Sequence, residues 1–116
     1  MSIKDAYDAL GADYGDVEKR FGGDAMVERF AGKFCDDDSM EKLADGMEAR
    51  DAKAAFVAAH TLKGICANLS LTNLYGPVCD LVEVLRPGTL EGSEEPYAQV
   101  KDEYRKTVDA LRAARG

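Results

Sequence analysis

The chain lacks tryptophan and contains one histidine, three prolines and three cysteines among its 116 residues. It is also poor in basic residues, because 15 Lys and Arg face 22 Asp and Glu, which gives a formal net charge of -7. Phosphate backbones and anionic lipids repel a chain of this charge. The composition therefore argues against nucleic acid and against a membrane surface as partners.

Long hydrophobic runs are missing as well. No stretch approaches the roughly 20 consecutive apolar residues that a membrane span needs. Residues 1–5 do not show the basic-then-apolar order of a secretion signal. We therefore expect the chain to reside in the cytoplasm.

The three cysteines, Cys35, Cys66 and Cys79, are odd in number, and their spacing matches no zinc-binding pattern. Cys66 and Cys79 sit among apolar residues. Small buried thiols in a reducing compartment are the simplest interpretation. We expect no metal site in the chain and no cofactor bound to it.

The sequence predicts helices throughout, because strand-like alternation of useful length is absent and apolar residues recur at helical spacing. Hydrophobic residues make up 46% of the chain, enough for one core. We predict an all-α fold: an up-down antiparallel four-helix bundle with additional short N-terminal helices, formed by residues 1–116 as a single domain. The predicted helices are 3–10, 13–21, 24–35, 39–50, 51–69, 72–86 and 93–116, and the expected N-caps include Asp24, Ser39, Asp51 and either Thr72 or Asn73.

The helix predicted over residues 51–69 contains the only histidine. Its apolar stripe, spaced 4, 3, 4 and 3 residues apart, should face the core. On a helical wheel His60 points roughly 140° away from this stripe and Gly64 roughly 180° away. The outward side therefore carries a small, partly apolar surface of Val57, His60, Gly64 and Ala67. The core-facing stripe consists of Ala55, Ala59, Leu62, Cys66 and Leu69.

These residue types suit phosphoryl transfer. A neutral imidazole is a nitrogen nucleophile near neutral pH, and its attack on a phosphoryl group gives a phosphoramidate. Lys63 lies one helical turn from His60, so its ammonium can reach the phosphoryl oxygens. Gly64 costs the helix about 1 kcal/mol relative to alanine. Its lack of a side chain would give an incoming active site access to the imidazole.

Other interpretations of the same residues remain at this point. A single helical histidine is often an ordinary surface residue, and Gly64 could be a packing site for another helix. An enzyme that pairs Cys66 with His60 is disfavoured, because the two residues lie roughly 120° apart on one helix. A kinase is excluded, since the chain has no Gly-rich nucleotide-binding loop.

The segment from Ala59 to Leu69, which reads AHTLKGICANL, resembles the signature of histidine-containing phosphotransfer (HPt) domains. The resemblance covers almost the whole chain. Arg20 to Asp24 is similar to the turn before the family's second main helix, and Ala52 to Phe56 is similar to its alanine-rich lead-in. Asn73, Leu74, Cys79 and Leu81 are similar to the family's next helix.

The resemblance implies that His60 accepts a phosphoryl group from a response-regulator receiver domain or a hybrid histidine kinase and passes it to a receiver aspartate. It implies that Lys63 neutralises the phosphoryl charge and that Gly64 gives clearance. The receiver, not this chain, would supply Mg²⁺, and the protein would be a monomeric phosphocarrier without autonomous catalysis. The receiver would dock over Val57, His60, Gly64 and Ala67, with Lys53 and Phe56 near the rim.

Three positions depart from the family pattern. Ser70 stands where glycine is frequent, and Ile65 stands where small residues are common. Val82 lies near a position where some members carry a polar side chain that orients the imidazole, and Glu83 is one residue away from it. A helical module that binds receivers or kinases without being phosphorylated remains the alternative function.

Overall fold

Seven α-helices make up most of the chain in the computed structural model, which describes residues 1–115. No strand occurs within this range. Gly116, the predicted end of the last helix, lies outside the described residues. The helices are α1 (Ile3–Leu10), α2 (Tyr14–Phe21), α3 (Asp24–Cys35), α4 (Ser39–Glu48), α5 (Ala52–Asn68), α6 (Thr72–Leu85) and α7 (Glu94–Arg115).

The last four helices pack in chain order, α4 against α5, α5 against α6 and α6 against α7. Short connections reverse the chain between them, which confirms the predicted up-down bundle. The predicted core stripe of α5 is buried along its whole length, from Ala55 to Leu69. The preceding helices form the predicted N-terminal additions, since α1 and α3 pack against α7 and α2 packs against α3.

The backbones of α4 and α5 approach each other closely at Gly46. A methyl group on Gly46 would lie 2.8 Å from the backbone nitrogen of Ala55 and 3.0 Å from its Cα. Only glycine therefore permits this distance between the two helix backbones. Because Ala55 begins the buried stripe of α5, this contact fixes the N-terminal half of the His60 helix against its neighbour.

The N-terminal helices hold the turn that follows α5. The Tyr7 hydroxyl of α1 donates a hydrogen bond of 2.7 Å to the carbonyl of Leu69. From α2, Arg20 donates to the carbonyl of Asn68 and to the Ser70 hydroxyl, both at 2.8 Å. Ser70 in turn donates to Asp16 at 2.7 Å. The C-terminal end of α5 is thus held by side chains from two other helices.

The predicted helix caps are right at one position and wrong at three. Asp51 caps α5 through a 3.1 Å bond from the Ala54 amide. The N-caps of α3, α4 and α6 are instead Gly23, Asp38 and Leu71, none of which makes a side-chain capping bond. In each case the observed N-cap is the residue before the first predicted one, because α3, α4 and α6 begin at Asp24, Ser39 and Thr72. The residues wrongly predicted as N-caps are Asp24, Ser39 and, for α6, both Thr72 and Asn73.

Candidate functional site

The middle of α5 presents His60 to solvent. The helix has 17 residues and no internal proline, and its buried stripe is rich in alanine, so it lies close to its neighbours. With the stripe from Ala55 to Leu69 buried, His60 is exposed on the opposite side. Its position agrees with the helical-wheel prediction.

The Phe56 ring lies one turn before His60 and flanks the imidazole. The two ring centroids are 5.9 Å apart and the ring planes are tilted by 41°. Phe56 is half-buried and packs against the core, so it provides an apolar wall beside an exposed histidine. The imidazole therefore has a half-buried aromatic neighbour on its N-terminal side.

The surface on the C-terminal side of His60 is open. Gly64 is exposed, and a Cβ built on it would have no heavy atom within 4 Å outside the glycine's immediate surroundings in the helix. The alternative that Gly64 is a packing site for another helix is therefore wrong within the described part of the chain. Lys63 is half-buried next to Gly64, and Ala67 is exposed on the following turn. The C-terminal side of His60 thus combines open space at Gly64 with the positive charge of Lys63.

An open groove of about 730 Å³ runs between α4 and α5 on one flank of the site. Lys53, Val57 and Thr61 line it from α5, and the Thr61 hydroxyl donates to the Val57 carbonyl at 3.0 Å. Val57 is one of the few exposed large hydrophobic residues, with 57% of its surface accessible. The groove wall from the α4 side includes Asp38, Lys42 and Asp45.

The structure places three of the six predicted docking residues on two flanks of α5 and three between those flanks. Lys53 and Val57 face the α4–α5 groove, whereas Phe56 faces α6. His60, Gly64 and Ala67 lie between these flanks on exposed positions of α5. The residues form a continuous band along one helix.

Arg86, at the end of α6, extends the site beyond the residues that the sequence predicts. Its guanidinium lies 5.3 Å from the centroid of the Phe56 ring, within the range of a cation–π contact. Glu83 accepts two hydrogen bonds from Arg86, at 2.8 and 3.2 Å. The hydrogen bonds from Arg86 lower the pKa of the Glu83 carboxyl, and the charge of Lys63 makes a smaller contribution. The three-residue spacing of Glu83 and Arg86 on one helix predicts an ion pair from sequence alone. The closeness of this pair to α5 depends on how the helices pack.

The structure accounts for the three departures from the family pattern. Ser70 has a positive φ of 53°, a backbone conformation that favours glycine, and its hydroxyl compensates by bonding to Asp16 and Arg20. Ile65 is half-buried and packs against the core. Val82 is fully buried, while Glu83 is exposed and bound to Arg86.

The cysteines lie apart from this surface. Cys35 and Cys66 are buried and Cys79 is half-buried, and all three are free thiols. Burial raises the pKa of the Cys66 thiol to about 12, which keeps it protonated. Within residues 1–115, no group of three or more His, Cys, Asp or Glu side chains is arranged to hold a metal ion. In the same range, no helix is both long and apolar enough to cross a membrane.

A scan of protein families matches residues 33–114 to the Hpt domain. The match spans most of the chain, so the protein belongs to the Hpt domain family. Hpt domains carry phosphoryl groups on histidine in phosphorelays and interact there with receiver domains and kinases; they are phosphocarriers, in general not catalysts. No curated protein and no solved structure matches the chain. Residues 1–32, which include α1 and α2, precede the matched segment.

Proposed function

We propose that this protein is a phosphocarrier of a two-component phosphorelay, in which His60 receives a phosphoryl group from one receiver aspartate and donates it to another. The observation that supports the proposal most strongly is the open surface around Gly64, one turn from an exposed histidine in a chain of the Hpt family. A nucleophile that serves a large protein partner needs this kind of access.

The proposed transfer is a direct displacement at phosphorus. A receiver docks across α5, and its aspartyl phosphate meets the imidazole of His60 in line. The P–O bond of the acyl phosphate breaks and a P–N bond forms, while the electron pair leaves on the receiver carboxylate. The imidazole keeps the proton on its other nitrogen, which exchanges with solvent.

The surrounding residues of α5 have distinct proposed roles. The ammonium of Lys63 neutralises the oxygens of the transferring phosphoryl group, since such reactions depend on positioning and charge stabilisation. Gly64 leaves room for the receiver's active-site loops. Lys53, Val57 and Ala67 extend the contact along the helix, and Phe56 limits the movement of the imidazole. The receiver supplies Mg²⁺ and the catalytic carboxylates.

The test is phosphotransfer from a phosphorylated receiver domain of the same organism to the native protein and to His60→Gln. We expect acid-labile, alkali-stable label on the native chain and none on the variant, with both proteins equally helical by circular dichroism. Labelling of His60→Gln to the native level would contradict the assignment of the acceptor.

The alternative, a module that binds receivers without accepting phosphate, uses the same surface but does not need the imidazole. It predicts that His60→Gln and native protein bind a receiver equally well and that neither becomes labelled. Binding and labelling measured on the same pair of proteins therefore separate the two functions.

A further inference from the structure

We propose that Glu83 is a positioning residue that sets the phosphoryl equilibrium of His60, because it competes with the phosphoryl group for the positive charges of Arg86 and Lys63. This inference rests on the proposed function of His60. It concerns how much phosphohistidine the protein holds when it is in equilibrium with a phosphorylated receiver.

Contacts from α6 to α5 place Glu83 in this position. The Glu83 carboxylate binds Arg86 through two hydrogen bonds, and the nearest oxygen and nitrogen atoms are 2.8 Å apart. The Arg86 guanidinium lies over the Phe56 ring, and that ring flanks the imidazole of His60. The hydrogen-bonded Glu83–Arg86 pair at the end of α6 therefore contacts Phe56 of α5, next to His60.

The charges of Glu83, Arg86 and Lys63 indicate how phosphorylation of His60 would change their interactions. Before transfer, the carboxylate of Glu83 partly neutralises Arg86 and Lys63. The lowered pKa of Glu83, caused first by the Arg86 hydrogen bond and then by Lys63, agrees with this arrangement. A phosphoryl group on His60 adds a charge of about -1.5 to -2 one helical turn from Lys63 and next to the Phe56 ring that Arg86 contacts. The phosphoryl group attracts the two cations and repels Glu83, so the carboxylate disfavours the phosphorylated state.

The exposure of the pair allows such an exchange of partners. More than half of the Glu83 and Arg86 side-chain surfaces is accessible, at 63% and 52%. Neither side chain is held by core packing, so Arg86 can rotate from the carboxylate toward a phosphoryl group without disturbing the fold. Loss of the pair should therefore change the equilibrium of the site while leaving stability unchanged.

The experiment measures the equilibrium ratio of phosphohistidine to phosphorylated receiver for native protein, Glu83→Gln and Asp102→Asn. Asp102 is a matched control, because it binds Arg105 three residues later at 2.8 Å but lies on α7. We expect Glu83→Gln to raise the ratio by about 2- to 5-fold, the range that exposed charge pairs support. Asp102→Asn should match the native protein, and added salt should reduce the effect of Glu83→Gln.

A second variant tests whether Glu83 acts through Arg86. Arg86→Gln should lower the ratio, and the effect of Glu83→Gln should be smaller in the Arg86→Gln background than in the native one. An unchanged or lowered ratio for Glu83→Gln, while native protein is labelled on His60, would overturn this inference alone. Absence of label on native protein would instead overturn the proposed function, and this inference with it.

Discussion

Gly46 of α4 and Ala55 of α5 are so close that a methyl group on Gly46 would lie 2.8 Å from the Ala55 nitrogen. The neighbouring atoms belong to the backbone, so they cannot rotate away. Gly46→Ala should therefore lower the free energy of unfolding by about 1 to 3 kcal/mol, the cost of overpacking a close contact. Thermal and urea unfolding followed by circular dichroism would measure this, and a variant as stable as native protein would contradict the packing account.

Gly64 should respond in the opposite way to the same substitution. It lies on the exposed side of α5 with open space around it, so Gly64→Ala should raise the free energy of unfolding by about 1 kcal/mol. Gly64→Gln should retain the fold but block receiver docking and phosphotransfer. Gly15→Gln, at an exposed glycine of α2, is the control for the added side chain. Normal transfer by Gly64→Gln would disprove the clearance role.

Lys63 should affect transfer without affecting stability. Lys63→Ala removes the ammonium nearest His60 along α5, and we expect the transfer rate to fall by about 10- to 100-fold, since charge stabilisation dominates phosphoryl transfer. Lys19→Ala removes the same charge from an exposed position of α2 and should transfer at the native rate. Single-turnover transfer from a phosphorylated receiver gives both rates. Equal rates for the two variants would remove Lys63 from the mechanism.

Asp16 should make stability depend on pH. The Ser70 hydroxyl and then the Arg20 guanidinium lower the pKa of the Asp16 carboxyl below its ordinary value of 3.8. A lowered pKa in the folded state means that the stabilisation is complete above the ordinary value and is lost as the pH falls through the folded-state value. The native protein should therefore be more stable than Asp16→Asn at neutral pH and should lose this difference in stability in acid.

The measurement for Asp16 is the difference in Tm between native protein and Asp16→Asn from neutral pH down to about pH 2. The same difference for Asp109→Asn, at an exposed site on α7, serves as the comparison. A difference for Asp16→Asn that stays constant across the range, or grows in acid, would contradict the contribution of the Ser70–Asp16–Arg20 contacts.

The helical periodicity of α5 was sufficient to predict which of its sides is buried, because this property depends only on spacing along one helix. The exposed positions of His60 and Gly64 follow from the same spacing. Arg86 could not be found in this way, since its contact with Phe56 depends on how α5 and α6 pack. Ser70 likewise became explicable only when α2 supplied Asp16 and Arg20.

The caps of α3, α4 and α6 were predicted at least one residue too late, because helix boundaries depend on local loop conformation. Gly23, the N-cap of α3, has a positive φ of 138°, a feature that residue type alone does not specify. The roles of Lys63, Gly64 and the docking residues stay predictions, as does the assignment of residues 1–116 to one domain. Each depends on partners or on behaviour in solution rather than on the fold.

The central claim is that His60 carries the phosphoryl group, and site localisation tests it most directly. Native protein would be incubated with a phosphorylated receiver and then analysed by tandem mass spectrometry at neutral pH, where phosphoramidates survive. We predict one phosphoryl group, on the imidazole of His60. A phosphoryl group on any other residue, or none on a protein that still binds the receiver, would contradict the account.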